Sequence, residues 1–279
     1  MLKETGLKKH IITLLTVTLF VSAGFTQREQ PYPPLYLVSV PTAGTLPKGT
    51  FTSEFLLQKN GGILPKIEVG LTNHFMIGMS YGMQKFIGDQ QMSVNKTYPE
   101  VQIKYRAYEE TTQWPAVVVG LDTQGRGEYH EFSNDENVES TLIERYDRKA
   151  LGAFIVASKN WNALGNLGFH IGLSKNLTEN KDGDKDLDFF FGFDKELNRS
   201  FSLLLEYDAA FNDNEYELND INDLSQITFG KGKGFLNAGV RWAVTSNLML
   251  ELDYNNITLN NDTAKYANRE VKIIYSESF

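Results

Sequence analysis

The chain has 279 residues, 23 of them glycine, no cysteine, and a formal net charge of −8. Without cysteine there is no disulfide framework, thiolate-ligated metal or thiol nucleophile, and an acidic chain has no phosphate-neutralising patch for a nucleic-acid partner. A hydrophobic content of 41% fits a soluble domain and a membrane β-barrel equally, because a barrel alternates apolar and polar residues along every strand.

Residues 1–24 begin with the bases Lys3, Lys8 and Lys9, continue through the run Ile11–Val21, and reach small residues at Ser22, Ala23 and Gly24. Val21 and Ala23 form a −3/−1 pair, so the segment reads as a cleaved secretory signal peptide. The run falls short of the roughly 20 residues that a membrane-spanning helix needs. A proline-rich lead occupies 25–48, with Pro31, Pro33, Pro34, Pro41 and Pro47. Proline has no N–H for a sheet ladder, so the lead is expected to be extended.

From 49 to 279 apolar residues recur at every second position, the period of a strand. The rows predict strands at 49–58, 62–71, 75–83, 100–107, 114–123, 148–159, 166–173, 187–193, 201–207, 236–242, 248–254 and 271–279, twelve in all. No window shows helical spacing. Short connections at 71–74, 108–113, 159–164, 194–199 and 244–247 alternate with longer ones at 84–97, 124–147, 175–186, 210–233 and 256–269. An even number of strands with alternating short and long connections is the pattern of a transmembrane antiparallel up-and-down β-barrel, all-β, with short periplasmic turns and longer extracellular loops. The 28–48 portion of the lead is expected to fold under or into the periplasmic mouth of this barrel, as a partial plug.

The polar rows should then face the lumen. They place Glu54, Glu68, Glu100, Asp122, Asp188, Asp194, Glu206, Asp208, Glu251 and Asp253 inward, with Lys66, Lys104, Arg106, Arg241 and Lys272. Such a mixed lining suits cross-strand ion pairs rather than selection for one sign. Glu68, Lys104, Arg106, Asp188, Glu206, Asp208, Arg241 and Glu251 are the lumen-lining candidates. Trp114, Trp161 and Trp242 all lie beside short turns, where an interfacial aromatic belt belongs. Val271, Ile273, Tyr275 and the terminal Phe279 share one face of the last strand, in the manner of a bacterial outer-membrane insertion signal.

No motif supports catalysis or a metal. His130 and Ser133 are the one close His/Ser pair, in an acidic loop without oxyanion glycines, and a lone lumen His170 reads as a hydrogen-bonded bystander. Asp182, Asp184, Asp186 and Asp188 alternate like the start of a calcium loop, but Leu187 and Phe193 stand where an EF-hand needs Gly and Glu. The segment reads as a solvated acidic loop. Gly230–Gly234 lacks phosphate-loop spacing. No cofactor is expected.

The stretches Pro41–Gly49, Val69–Gly78, Pro115–Asp122 and Val156–Lys159 together resemble YjbH-type outer-membrane β-barrel proteins, over about 40–175 of this sequence. The resemblance implies a link to exopolysaccharide production or export. The expected role is a narrow channel or an export-associated barrel. Its expected partners are outer-membrane lipid, lipopolysaccharide, the barrel assembly machinery and a carbohydrate polymer. A non-conducting structural or adhesive scaffold and a soluble periplasmic β-protein are the alternatives.

Overall fold

The computed structural model describes residues 34–132, 143–162, 165–214, 227, 234–257 and 269–279. Among the described residues sixteen strands occur in chain order: β1 Thr50–Leu57, β2 Ile63–Gly70, β3 Phe75–Ser80, β4 Met83–Gln84, β5 Ser93–Val94, β6 Glu100–Tyr108, β7 Ala116–Asp122 and β8 Arg126–Phe132. The remainder are β9 Ile143–Arg148, β10 Gly152–Asn162, β11 Asn166–Lys175, β12 Asp188–Glu196, β13 Phe201–Asp208, β14 Phe235–Ala243, β15 Leu248–Tyr254 and β16 Arg269–Ser278. No α-helix occurs among the described residues.

Twelve of these strands make one antiparallel wall in the order β1-β2-β3-β6-β7-β10-β11-β12-β13-β14-β15-β16, and β16 pairs back onto β1. The closing register runs from Thr50 opposite Ser278 to Leu57 opposite Val271. Closure removes both edges, so every wall strand has a neighbour on each side. These are the twelve strands that the alternation predicts. The third ends at Ser80 rather than 83, and β4 beyond it pairs with β2 and β5 above the wall.

The two faces differ as strand chemistry requires. Ile67, Met79, Ile171, Phe191, Leu252 and Tyr254 are exposed on the outside, while the alternate positions point inward and are buried. The segment 1–33, including the signal region, lies outside the described residues.

The alternation leaves 124–147 as a loop, yet β8 and β9 form a hairpin there. Its strands carry charges or polar groups on both faces (Arg126, Glu128, His130, Glu144, Asp147), so no apolar row marks it. A register shift between Arg126 and Tyr129 further breaks the alternation.

Candidate functional site: an occupied lumen

Residues 34–48 lie inside the barrel as a hairpin. The Leu37 N–H donates to Val40 O at 2.9 Å and the Thr42 N–H to Leu35 O at 3.0 Å, which puts the tip at Val38 and Ser39. Pro34 and Pro41 lack the donors that would let the limbs join the wall. The hairpin enters at the end of the barrel that holds Gly49 and Phe279, where Lys48 N–H donates to Asn73 Oδ1 (3.1 Å) and Gly49 N–H to Gly70 O (2.9 Å). A Cβ on Gly70 would fall 2.1 Å from Pro47 O, so only glycine lets the chain pass there.

Two apolar seats hold the hairpin. Leu37, Val38, Val40 and Ala43 pack on Ala116, Val118, Phe154, Val156, Phe190 and Leu204. Leu35, Tyr36 and Leu46 pack on Met76, Ala243, Met249 and Ile274. Gly192 makes room for one of these contacts, because a Cβ there would lie 2.5 Å from Leu37 Cδ1. Alternation alone assigns the inner face to polar rows. These apolar inward positions are the exception to it, and they are where the hairpin sits.

The polar contacts reach mostly the hairpin's main chain. Lys104 Nζ donates to Leu35 O, Arg241 to Tyr36 O (3.0 Å), and both Lys272 Nζ and Arg126 (3.0 Å) to Val38 O. Glu206 accepts from the N–H groups of Ser39 (2.9 Å) and Val40 (3.0 Å), from the Ser39 hydroxyl, and from Asn237 Nδ2 at 2.8 Å. Two side chains of the hairpin are also read. Tyr36 donates its hydroxyl to Glu68 at 2.9 Å, with Lys66 and Lys104 over its ring at 4.2 and 4.1 Å. Arg148 donates to Ser39 Oγ at 2.7 Å and pairs with Asp208.

Behind these contacts the wall charges brace each other. Fully buried Glu251 takes Arg241 Nε at 2.5 Å and also Lys272, which lies 2.9 Å from Asp253. Of the eight lumen-lining candidates, Glu68, Lys104, Asp188, Glu206, Asp208, Arg241 and Glu251 are buried inside the barrel. Arg106 departs from them: it sits half-buried at a bulge between Arg106 and Tyr108, its N–H on His74 O at 2.7 Å near the terminal rim. Among the described residues, two cavities of about 40 and 20 Å³ lie between hairpin and wall. At roughly 10–15 Å³ per water, the first holds about three or four waters and the second about one or two, and neither passes a sugar.

Sequence reasoning missed a second anchor. Ala43 N–H donates to Ser158 Oγ (2.8 Å), Ser158 Oγ contacts His170 Nδ1 (2.7 Å), and His170 Nε2 contacts Asp194 Oδ1 (2.8 Å). With Nε2–H donating to the carboxylate, the Ser158 hydroxyl meets Nδ1 and its oxygen keeps a lone pair for the hairpin amide. The Ser158 oxygen faces the hairpin amide, so this chain of hydrogen bonds ends on the inserted segment. Register brings the three together: Ser158 pairs with His170 and Gly168 with Asp194. Inward positions on three successive strands were the available signal. His130 instead bonds Asp147 at 2.7 Å, and Ser133 lies outside the described residues.

The opposite end is covered by β8–β9 and its neighbours. Arg145, fully buried, donates to Asp182 (3.1 Å) and Asp213 (2.5 Å), and Lys149 joins Asp182 at 2.6 Å. Glu179 accepts from the N–H groups of Tyr146 and Ala150, each at 2.7 Å. Burial pushes the Asp213 carboxyl up to about 7 even beside Arg145, and its Oδ2 has no hydrogen-bond partner among the described residues. The expected solvated acidic loop is thus corrected in part: Asp186 is exposed, but Asp182, Asp184 and Asp188 are buried and face protein donors. Among Gly230–Gly234 only Gly234 is described. Trp114 and Trp161 are exposed at the terminal rim, Trp242 stacks on Phe201 at 5.8 Å, and Ile273, Tyr275 and Phe279 are exposed with Val271 beside them.

No family model matches the chain, and no curated protein matches it. Solved structures do. The KdgM porin aligns at 9% identity over 82% of this chain and 99% of its own, with a TM-score of 0.46. The NanC porin aligns at 12% identity over 82% and 98%, with a TM-score of 0.36. The outer membrane channel DcaP of Acinetobacter baumannii aligns at 8% identity over 82% and 95%, with a TM-score of 0.29.

Proposed function

We propose that the protein is an outer-membrane channel that the hairpin 34–48 holds shut. The observation that supports this most is the hairpin gripped from within by charged side chains aimed at its main chain. A wall built only for rigidity gains little from buried charges, since apolar replacements of buried ion pairs are often neutral or stabilising. Charges suit a wall that meets water whenever the hairpin leaves. Glu68, Lys104, Asp188, Glu206, Asp208, Arg241 and Glu251 then line the water path, with Arg106 at its rim.

Residence in the outer membrane is supported by the apolar outer face, the tryptophans at the terminal rim and the Val271/Ile273/Tyr275/Phe279 row, which together suit a lipid-facing barrel inserted by the assembly machinery and set among lipopolysaccharide. The resemblance to YjbH-type barrels supports a carbohydrate polymer as cargo and a tie to exopolysaccharide. Secretion through the 1–24 signal region is the route this reading requires.

A second reading, a non-conducting scaffold, draws on the buried Arg145 cluster that covers the other end. Planar-bilayer recording separates the two. The wild-type chain is expected to be silent most of the time. Leu37→Asp combined with Val40→Asp puts two carboxylates into an apolar seat and is expected to give steady conductance. Heat-modifiable mobility on a semi-native gel verifies that the variant barrel is folded. A folded but silent variant would favour the scaffold.

A further inference from the structure

We infer that the lumen is a binding site for a polypeptide turn and that it takes such a turn from a separate chain as well as from its own. The inference rests on the channel reading. Its basis is the kind of atom the wall recognises. Lys104, Arg241, Lys272 and Arg126 donate to three main-chain carbonyls, of Leu35, Tyr36 and Val38. Glu206 accepts two successive main-chain N–H groups, and Ser158 accepts a third from Ala43. Main-chain groups are common to all peptides, so these contacts recognise a backbone shape rather than this protein's identity.

The side-chain contacts narrow the ligand class. Tyr36 is held at its ring by two lysines and at its hydroxyl by Glu68, and Ser39 is held at its hydroxyl by Glu206 and Arg148. The residues between and after them, Leu37, Val38 and Val40, fill an apolar seat. The site therefore selects an apolar hairpin with an aromatic hydroxyl three positions before a small hydroxyl at its tip. None of these contacts uses the covalent link from Lys48 to the wall. The tether contributes an effective concentration, of the order of mM for a short linker, and an untethered peptide must supply that concentration itself.

The probe is a synthetic peptide of residues 34–48 with a fluorophore at its N-terminus. The host is the full chain carrying Leu37→Asp and Val40→Asp, so that its own hairpin does not compete. A second host is the full chain with Val38→Cys, alkylated by a bulky maleimide while unfolded and then refolded; Val38 is fully buried, and a seated hairpin has no space for the adduct. Saturable anisotropy in detergent micelles and block of conductance in bilayers are expected in both hosts. A peptide N-methylated at Ser39 and Val40, which loses both donors to Glu206, is expected to bind at least tenfold more weakly. Absence of binding in both hosts overturns the inference, as does equal binding of the methylated peptide. A host that conducts but ignores the peptide defeats the inference and leaves the channel reading standing. A host that binds the peptide but never conducts does the reverse.

Discussion

Glu206→Ala is expected to release the hairpin while leaving the barrel folded. The Glu206 carboxylate accepts the N–H groups of Ser39 and Val40 and the Ser39 hydroxyl at the tip of the inserted segment. Truncation leaves those donors buried without their acceptor, and each such group costs about 1–3 kcal/mol. Water entering the vacated space recovers part of this, so a net shift of about 3 kcal/mol is expected, near a hundredfold in the seated-to-released ratio. Asn237 loses its bond to Glu206 as well, but it belongs to β14 and keeps its ladder partners. Because the chain has no cysteine, Val38→Cys supplies a single reporter. Its maleimide reaction is expected to be slow in the otherwise wild-type chain and about a hundredfold faster with Glu206→Ala, in proportion to that ratio. Glu206→Gln, which retains one acceptor oxygen, should fall between. Equal rates in all three would refute the role given to Glu206.

Glu251→Ala is expected to weaken the wall itself. Glu251 is fully buried and joins Arg241 on β14 to Lys272 on β16. Breaking a buried ion pair by removing one partner costs about 3–5 kcal/mol, because the remaining charge stays desolvated. Asp253 still lies 2.9 Å from Lys272, so the larger loss falls on Arg241. Both cations also donate to hairpin carbonyls, and the hairpin should loosen with them. The temperature at which the folded band disappears on a semi-native gel is expected to drop for Glu251→Ala and to stay near wild type for Glu206→Ala. Identical melting of the two variants would mean that the division between wall and hairpin contacts is wrongly drawn. Replacing Glu251, Arg241, Lys272 and its second partner Asp253 together by leucine or methionine should restore much of the wall's stability without restoring the hairpin's anchorage.

These residues also mark how far the sequence could be read. The wall strands were legible because outer-face and lumen-side chemistry alternate with period two, and Glu206, Arg241 and Glu251 fell on the inward row by simple parity. Parity says nothing of depth or partner, so the meeting of Glu206 with the tip of a segment 166 and 167 residues away was not available. Val118, Val156 and Phe190 lie on strands that are apolar on both faces, which is how a strand covered on both sides reads. That pattern, beside the proline-rich lead, was the sequence signal for an internal occupant and the one that marks where it sits. The β8–β9 hairpin was hidden because it buries charges on charges, leaving no apolar period to detect. Ser158, His170 and Asp194 are far apart in sequence and meet only through strand register.

Residues 34–48 occupy the lumen, and their closing of it is tested most directly where the hairpin touches the wall. Ala43 N and Ser158 Oγ lie 2.8 Å apart across that boundary, so Ala43→Cys with Ser158→Cys places two thiols there in a chain with no other. The measurement is single-channel recording of this double variant in the Glu206→Ala background, under oxidant and then reductant. The predicted result is a cross-link in the heat-modifiable, folded protein that abolishes conductance and releases it on reduction. A folded, cross-linked barrel that conducts equally with the cross-link in place would contradict closure by the hairpin.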